Sequence, residues 1–210
     1  MRYSFLKIGV STVTCLIGLT AFQSASNAAT IVDPDTFAIG TVLTNAFDGV
    51  TLTTRDGLAP GSNARDVLVG TDPGATTGSN VFAQDTGNPT WGNGTFEFLR
   101  ADFAGGASRV WLDFFANDAG GDSNPQLLAF DSSDNLLQTA SVNFVPANEF
   151  VTLSVSAPKI AYVAAYWDEP ERLQNGGLDN LRYEAVPTPA LLPGLIGMGV
   201  AAWRKRQQKA

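Results

Sequence analysis

The chain reads as all-β: a single β-sandwich domain with an N-terminal signal helix before it and a short C-terminal hydrophobic helix after it. Three observations predict this. Short runs such as Val50-Thr51-Leu52-Thr53-Thr54 and Phe150-Val151-Thr152-Leu153-Ser154-Val155-Ser156 alternate apolar and polar residues, the period of a half-buried strand. Clusters of Gly, Asn, Asp and Pro separate these runs, as in Ala116-Asn117-Asp118-Ala119-Gly120-Gly121-Asp122-Ser123-Asn124-Pro125. No long amphipathic helix pattern interrupts them. The organisation that follows is a signal peptide over 1–28, a β domain over 29–185 and a C-terminal segment over 186–210.

Taken in order, Arg2 and Lys7 precede an apolar run from Ile8 to Phe22, and small residues close the segment at Ser26 and Ala28. A positive start, a short apolar stretch and small residues two positions apart form the layout of a secretory signal peptide, with cleavage after Ala28. The fifteen-residue run falls short of the ~20 residues that a permanent span needs. Cys15 lies in mid-run behind Thr12-Val13-Thr14, which is not a lipobox.

The β domain opens on the Gly49–Thr54 strand. The polar, Gly- and Asn-rich stretch Asn80–Gly94 reads as a long surface loop. It would expose Trp91 as an aromatic able to stack on a sugar ring. Strands follow over Thr95–Phe103, Arg109–Phe115, Gln126–Phe130, Leu136–Phe144, Phe150–Ser156 and Ile160–Trp167, all rich in β-branched or aromatic residues. Trp111 and Trp167 fall inside strands and read as core. Asp131-Ser132-Ser133-Asp134-Asn135 reads as a hairpin loop, and the nearly continuous apolar run Ile160–Trp167 as a central strand covered on both faces.

The last strand, Gly176-Gly177-Leu178-Asp179-Asn180-Leu181-Arg182-Tyr183-Glu184, carries a conspicuous carboxylate. Counting by twos puts Asp179 on one face with Leu181 and Tyr183, which mark that face as inward. A buried charge needs a partner, either a calcium ion or backbone N–H groups. Asp48 is a second calcium ligand if the first and last strands are neighbours. The Asn117–Asn124 cluster lacks the spacing of an EF-hand loop and reads as a turn.

Beyond the domain, Val186-Pro187-Thr188-Pro189 is hostile to helix. The apolar segment Ala190–Trp203 follows, and the chain closes on Arg204-Lys205-Arg206-Gln207-Gln208-Lys209-Ala210. Fourteen helical residues reach about 21 Å, short of a ~30 Å hydrocarbon core. The layout is a stop-transfer signal whose basic cluster stays cytoplasmic. Pro-x-Pro, a short apolar stretch and a terminal Arg/Lys cluster resemble the PEP-CTERM sorting segment, also called the ice-binding protein C-terminal domain, in the version of cyanobacterial and related members. The resemblance covers about the last 24 residues. It departs from the family at Thr188, where Glu is usual. It implies passage through the export machinery, removal of the signal by signal peptidase, and transient retention in the inner membrane. An exosortase-like enzyme would then cut near Pro187-Thr188-Pro189, with release to the cell surface or extracellular matrix. The run Gly-Gly-Leu-Asp-Asn-Leu, strand, Pro-x-Pro is also similar to the end of jelly-roll domains in such proteins and of carbohydrate-binding jelly rolls. There an Asp of the last strand holds structural calcium. The resemblance thus implies a jelly-roll-like sandwich.

Removing both terminal segments changes the charge. The chain carries 13 basic and 20 acidic residues, a net −7. Arg2, Lys7, Arg204, Lys205, Arg206 and Lys209 leave with the ends, so seven basic residues face all 20 acids and the net becomes −13. So acidic a domain repels nucleic acid. It holds no Cys and the chain no His, which excludes disulfides, a Ser-His-Asp triad, a Cys-His pair and zinc sites built on those ligands. A two-carboxylate glycosidase is the enzyme class left, with Glu97, Glu149, Glu169, Glu171 and Glu184 available, and none falls in the close Glu/Asp strand spacing expected of one. The expected function is a non-catalytic surface or matrix protein that binds polysaccharide or calcium. The alternatives are a structural matrix component without a discrete ligand and a glycan hydrolase.

Overall fold

Ten strands form from the alternating runs, with no α-helix among the described residues. The computed structural model describes residues 28–57, 62–89, 91, 97–117, 124–168 and 176–186. The proposed signal helix, the Pro187–Pro189 turn, the C-terminal apolar segment and Arg204–Arg206 lie outside these. The strands are β1 (Thr30–Val32), β2 (Val50–Arg55), β3 (Ala64–Arg65), β4 (Leu68–Thr71), β5 (Asn80–Ala83), β6 (Phe98–Ala116), β7 (Asn124–Phe130), β8 (Leu136–Ser141), β9 (Phe150–Asp168) and β10 (Gly176–Ala185). All pair antiparallel.

Where the sequence suggested four short central strands, the structure has two long ones. β6 and β9 are 19 residues each, about 60 Å if straight at the usual rise per residue. A domain of this size has a radius of gyration of only about 15 Å, so both must bend. They do so side by side. The β6–β9 register shifts between Asp102 and Ala107 and again before Arg109, and Gly106 takes a φ of 79° that favours glycine. The bends turn one hydrogen-bonded sheet into two layers. The first runs β3-β2, the Phe98–Phe103 half of β6, the second half of β9, then β7-β8. The second runs β4-β5-β10, the Arg109–Ala116 half of β6 and the first half of β9, with β1 on the outer edge of β10.

The two layers face each other across one core. Phe114 pairs with Val151 in the second layer. Trp167 lies sixteen residues further along β9, about 50 Å away if the strand were straight. Their rings nevertheless meet edge to face at 5.6 Å. The bend also switches parity: Leu99, Ala101 and Phe103 face the core before it, and Val110, Leu112, Phe114 and Ala116 after it. Ile160–Trp167 lies between β6 and β7 as a central strand, with Tyr162 and Ala164 buried on the face away from the core. The Asp131–Asn135 segment is the β7–β8 hairpin loop. Asp131 Oδ1 accepts from Ser133 and Asn135 N–H, and Asp134 stands at φ 62°.

The expected Asn80–Gly94 loop holds over residues 84–89, which lie outside any strand, but not at its start. Asn80–Ala83 is a strand between β4 and β10, and Val81, Phe82 and Ala83 are buried. Asn80 is polar because its side-chain N–H donates to the Phe37 carbonyl at 2.9 Å, so its polarity marks a strand end and not a loop.

Candidate functional site

The expected sites separate on the surface of this sandwich. Ala28 is exposed two residues before β1. Trp91 is a correction: it is fully buried, its Nε1–H donates to the Phe82 carbonyl at 2.9 Å, and its backbone bridges Gly176. A ring closed in on all sides offers no face to a sugar.

Asp179 is only 1 % exposed but points opposite to the expected direction. Asn180 adopts φ 47°, and the β10–β6 register slips between Asp179 and Arg182. This bulge breaks the period-2 count: Leu178 and Leu181 both reach the core, while Asp179 pairs with Asp113 on the outer face of the second layer. The segment Asp72–Ser79 covers it. Asp179 Oδ2 accepts from the Thr76 N–H at 2.9 Å, the Thr76 hydroxyl at 2.8 Å and the Thr77 N–H at 3.2 Å, and Oδ1 accepts from the Asn180 N–H at 2.8 Å. Backbone N–H groups, one of the two partners foreseen, thus reach this carboxylate. Burial raises the Asp179 carboxyl above the ordinary carboxylate range, and these hydrogen bonds pull it back.

Asp113 extends the network. It accepts from the Thr152 hydroxyl at 2.6 Å and from Arg182 Nη2 at 3.0 Å. Asp72 caps its own loop at the Gly74 N–H and accepts from the Asn117 amide. Asp48 does not join. It is exposed, β2 pairs with β6 rather than with β10, and its carbonyl accepts from the Tyr183 hydroxyl at 3.1 Å. Tyr183 is four residues along β10 from Asp179, about 13 Å of strand. Among the described residues no three acidic side chains come together to hold a metal ion. The donors around Asp179 Oδ2 are N–H and O–H groups, which compete with a cation for its lone pairs.

The open polar site is elsewhere, on the outer face of the first layer. Thr51 of β2, Arg100 and Asp102 of β6, Ser132 and Asp134 of the hairpin loop, and Tyr162 of β9 line a cleft of about 360 Å³. Register builds it: Thr51 stands opposite Asp102, Asp102 opposite Tyr162, and Tyr162 opposite Phe130. Arg100 grips Asp102 through Nε at 3.0 and 2.9 Å and Nη2 at 2.6 Å, and its guanidinium carbon lies 3.6 Å from the centre of the Tyr162 ring. Phe130 stacks on Tyr162 at 4.8 Å and 10°. The Tyr162 hydroxyl donates to Asp134 Oδ1 at 2.9 Å, and burial together with that bond pushes it up to about 12. Tyr162 is thus a fixed donor that ties the hairpin loop to the sheet. No residue of the cleft was singled out as a ligand-binding residue from the sequence. The signal was present in part: Arg100 and Asp102 alternate with Leu99, Ala101 and Phe103, so both had to face outward together.

What the fold and this site define is an all-β sandwich with a polar, arginine-bearing cleft on one sheet face. No family profile and no curated protein matches the sequence. Solved structures of similar fold include the K2 cleaved adhesin domain of Lys-gingipain, at 17 % identity and TM-score 0.48, covering 74 % of this chain and 97 % of that one. A point mutant of the carbohydrate-binding module CBM29-2 matches at 14 % identity and TM-score 0.40, covering 75 % and 91 %. The C-terminal family 22 carbohydrate-binding module of Clostridium thermocellum Xyn10B matches at 15 % identity and TM-score 0.42, covering 72 % and 95 %.

Proposed function

We propose that this chain is an exported, C-terminally sorted, non-catalytic protein of the cell surface or extracellular matrix that binds polysaccharide in the Arg100–Tyr162 cleft. The cleft is the observation that carries the reading. It gathers hydroxyls from Thr51 and Ser132, planar acceptors from Asp102 and Asp134, and a guanidinium held over an aromatic ring. Planar side chains with paired donors or acceptors match the adjacent hydroxyls of a sugar, and groups already fixed by their neighbours lose little entropy on binding. The carboxylates of the cleft are engaged, Asp102 by Arg100 and Asp134 by Tyr162, which suits binding rather than acid–base work. Glu97 is likewise paired with Arg65.

Export and sorting rest on the two terminal segments of the sequence. The acidic central domain suits an extracellular polymer and repels nucleic acid. Calcium at Asp179 has no part in the reading, because N–H and O–H donors crowd its Oδ2 and no further carboxylate joins it among the described residues as a metal cluster.

Purified full-length protein, titrated against a panel of neutral polysaccharides, tests the binding. Saturable binding that falls at least about tenfold in Arg100→Ala, the loss expected for charge-assisted bonds, supports the cleft. No binding to any member of the panel would leave a structural matrix component as the better reading. Release of reducing ends would make it an enzyme. Mass spectrometry of the mature protein tests sorting: a chain beginning after Ala28 and ending near Pro187–Pro189 is expected, whereas an intact Trp203-Arg204-Lys205 tail would mean anchoring without processing.

A further inference from the structure

The opposite face of the sandwich carries an aromatic residue expected in the core. Val110 and Leu112 are fully buried toward the core, so Arg109, Trp111 and Asp113, which alternate with them, must face outward on β6. The Asp72–Ser79 segment covers Asp113, but Trp111 is left half-buried and Arg109 exposed. In the cross-strand row of Trp111 lie Arg182 on β10 and Ser154 on β9; in the next row, Arg109 lies between Glu184 and Ser156. The Arg109 guanidinium carbon is 4.6 Å from the centre of the Trp111 ring. Among the described residues Arg109 has no carboxylate within ion-pairing distance, whereas Arg100 and Arg182 each have one and Arg65 has two. Arg182 spends Nη2 on Asp113 and keeps its Nε–H shielded and unpartnered.

We propose that Trp111, Arg109 and Arg182 form a second glycan site, for a carboxylated sugar (uronate) residue of an acidic polysaccharide. The indole presents a flat apolar surface to the C–H face of a sugar ring. The Arg109 guanidinium, held over that ring, presents paired donors that match a carboxylate, and Arg182 on the neighbouring strand adds the donors that Asp113 leaves free. Ser154 and Ser156 supply hydroxyls along the same rows. The domain's net charge opposes any polyanion at long range, so such a ligand is held only where these two guanidinium groups outweigh that field locally. The site lies on the layer opposite the cleft and does not depend on it. If both are occupied, one domain bridges two polymer chains, with the gain in avidity that two linked sites bring.

The test uses the full-length protein with three probes of equal length: oligogalacturonate, its carboxyl-reduced neutral counterpart, and a sulfated oligosaccharide. Calorimetry is expected to show binding to oligogalacturonate only. That binding should weaken at least about tenfold in both Arg109→Gln and Trp111→Ala and be unchanged in Arg100→Ala. Trp91 and Trp167 are buried, so a ligand-induced fluorescence change lost in Trp111→Phe assigns the contact. Arg109→Gln removes no buried contact and keeps the test decisive if Trp111→Ala unfolds. Absence of binding to oligogalacturonate, equal affinity for the reduced or sulfated probe, or unchanged affinity in Arg109→Gln would each overturn the proposal. Loss in Arg100→Ala instead would place the ligand in the cleft.

Discussion

Asp179 and Asp102 both stand on outward faces of sheet strands, and each is gripped by several donors. Asp179 is sealed under the Asp72–Ser79 segment, whose backbone N–H and hydroxyl groups crowd its Oδ2, while its Oδ1 accepts from the Asn180 N–H. Asp102 remains open to solvent along one side, its partner is a single guanidinium, and hydroxyls and a tyrosine lie around it. The first arrangement fastens a loop to the sheet. The second presents polar groups to whatever enters the cleft. Polar clustering alone does not separate the two roles; what separates them is whether the donors and acceptors are already saturated by the fold.

Substitutions can break this comparison. The largest effect is expected at a residue that belongs to neither cluster but was expected to be a ligand platform. Trp91→Ala should cost about 3–5 kcal/mol, the range for emptying a large buried aromatic site. Urea denaturation would measure it, and a cost below about 1 kcal/mol would show that Trp91 is not core. Asp179→Ala strands three backbone N–H groups, those of Thr76, Thr77 and Asn180, and should cost about 2–4 kcal/mol. Asp102→Ala should cost only about 0–1 kcal/mol, because a partly exposed ion pair adds little, while abolishing polysaccharide binding. If the two substitutions cost the same, the distinction between a sealed and an open cluster fails.

Tyr162→Phe lies between them. It removes the bond to Asp134 and should cost about 0.5–1.5 kcal/mol, with looser binding as the hairpin loop loses its tie to the sheet. Hydrogen exchange at Asp131–Asn135 would reveal the loosening; unchanged exchange would detach Tyr162 from the loop.

The smallest effect is pH-dependent. The Asp179 carboxyl titrates above its unfolded value, so between those two values the native state binds more protons than the unfolded chain. This group therefore adds stability as pH falls through the window just above the ordinary carboxylate range, and that increment is lost as pH rises through it. Comparing melting temperatures of the native chain and Asp179→Asn across that window isolates the term. A slope identical in both proteins would assign it to other carboxylates.

The fold class was legible because its signals are local. Alternation in Gly49–Thr54 and Phe150–Ser156, the Asp131–Asn135 turn and the apolar Ile160–Trp167 run each reflect the residue's own backbone preferences and the need to cover one or both strand faces. Two long strands were read as four because Ala104-Gly105-Gly106 and Ala157-Pro158-Lys159 look like turns in isolation. They instead mark bends, where β6 and β9 cross together from one layer to the other. Asp179 was legible as a buried carboxylate that needs partners. Its direction was not, because a single left-handed residue, Asn180, slips the register and reverses the face.

The amino-acid order alone determined which residues alternate, where the turns fall, how acidic the domain is between its terminal segments, and which chemistries the absence of His and of cysteine from that domain excludes. Only the tertiary structure decided that Trp91 is core, that Trp111 is not, and that Thr51, Arg100, Asp134 and Tyr162 share one cleft. Those outcomes depend on pairing between strands tens of residues apart in sequence, as with Trp91 and Gly176, Thr51 and Asp102, or Asp102 and Tyr162. Register across such distances is set by how the whole core closes, not by any residue's local preference.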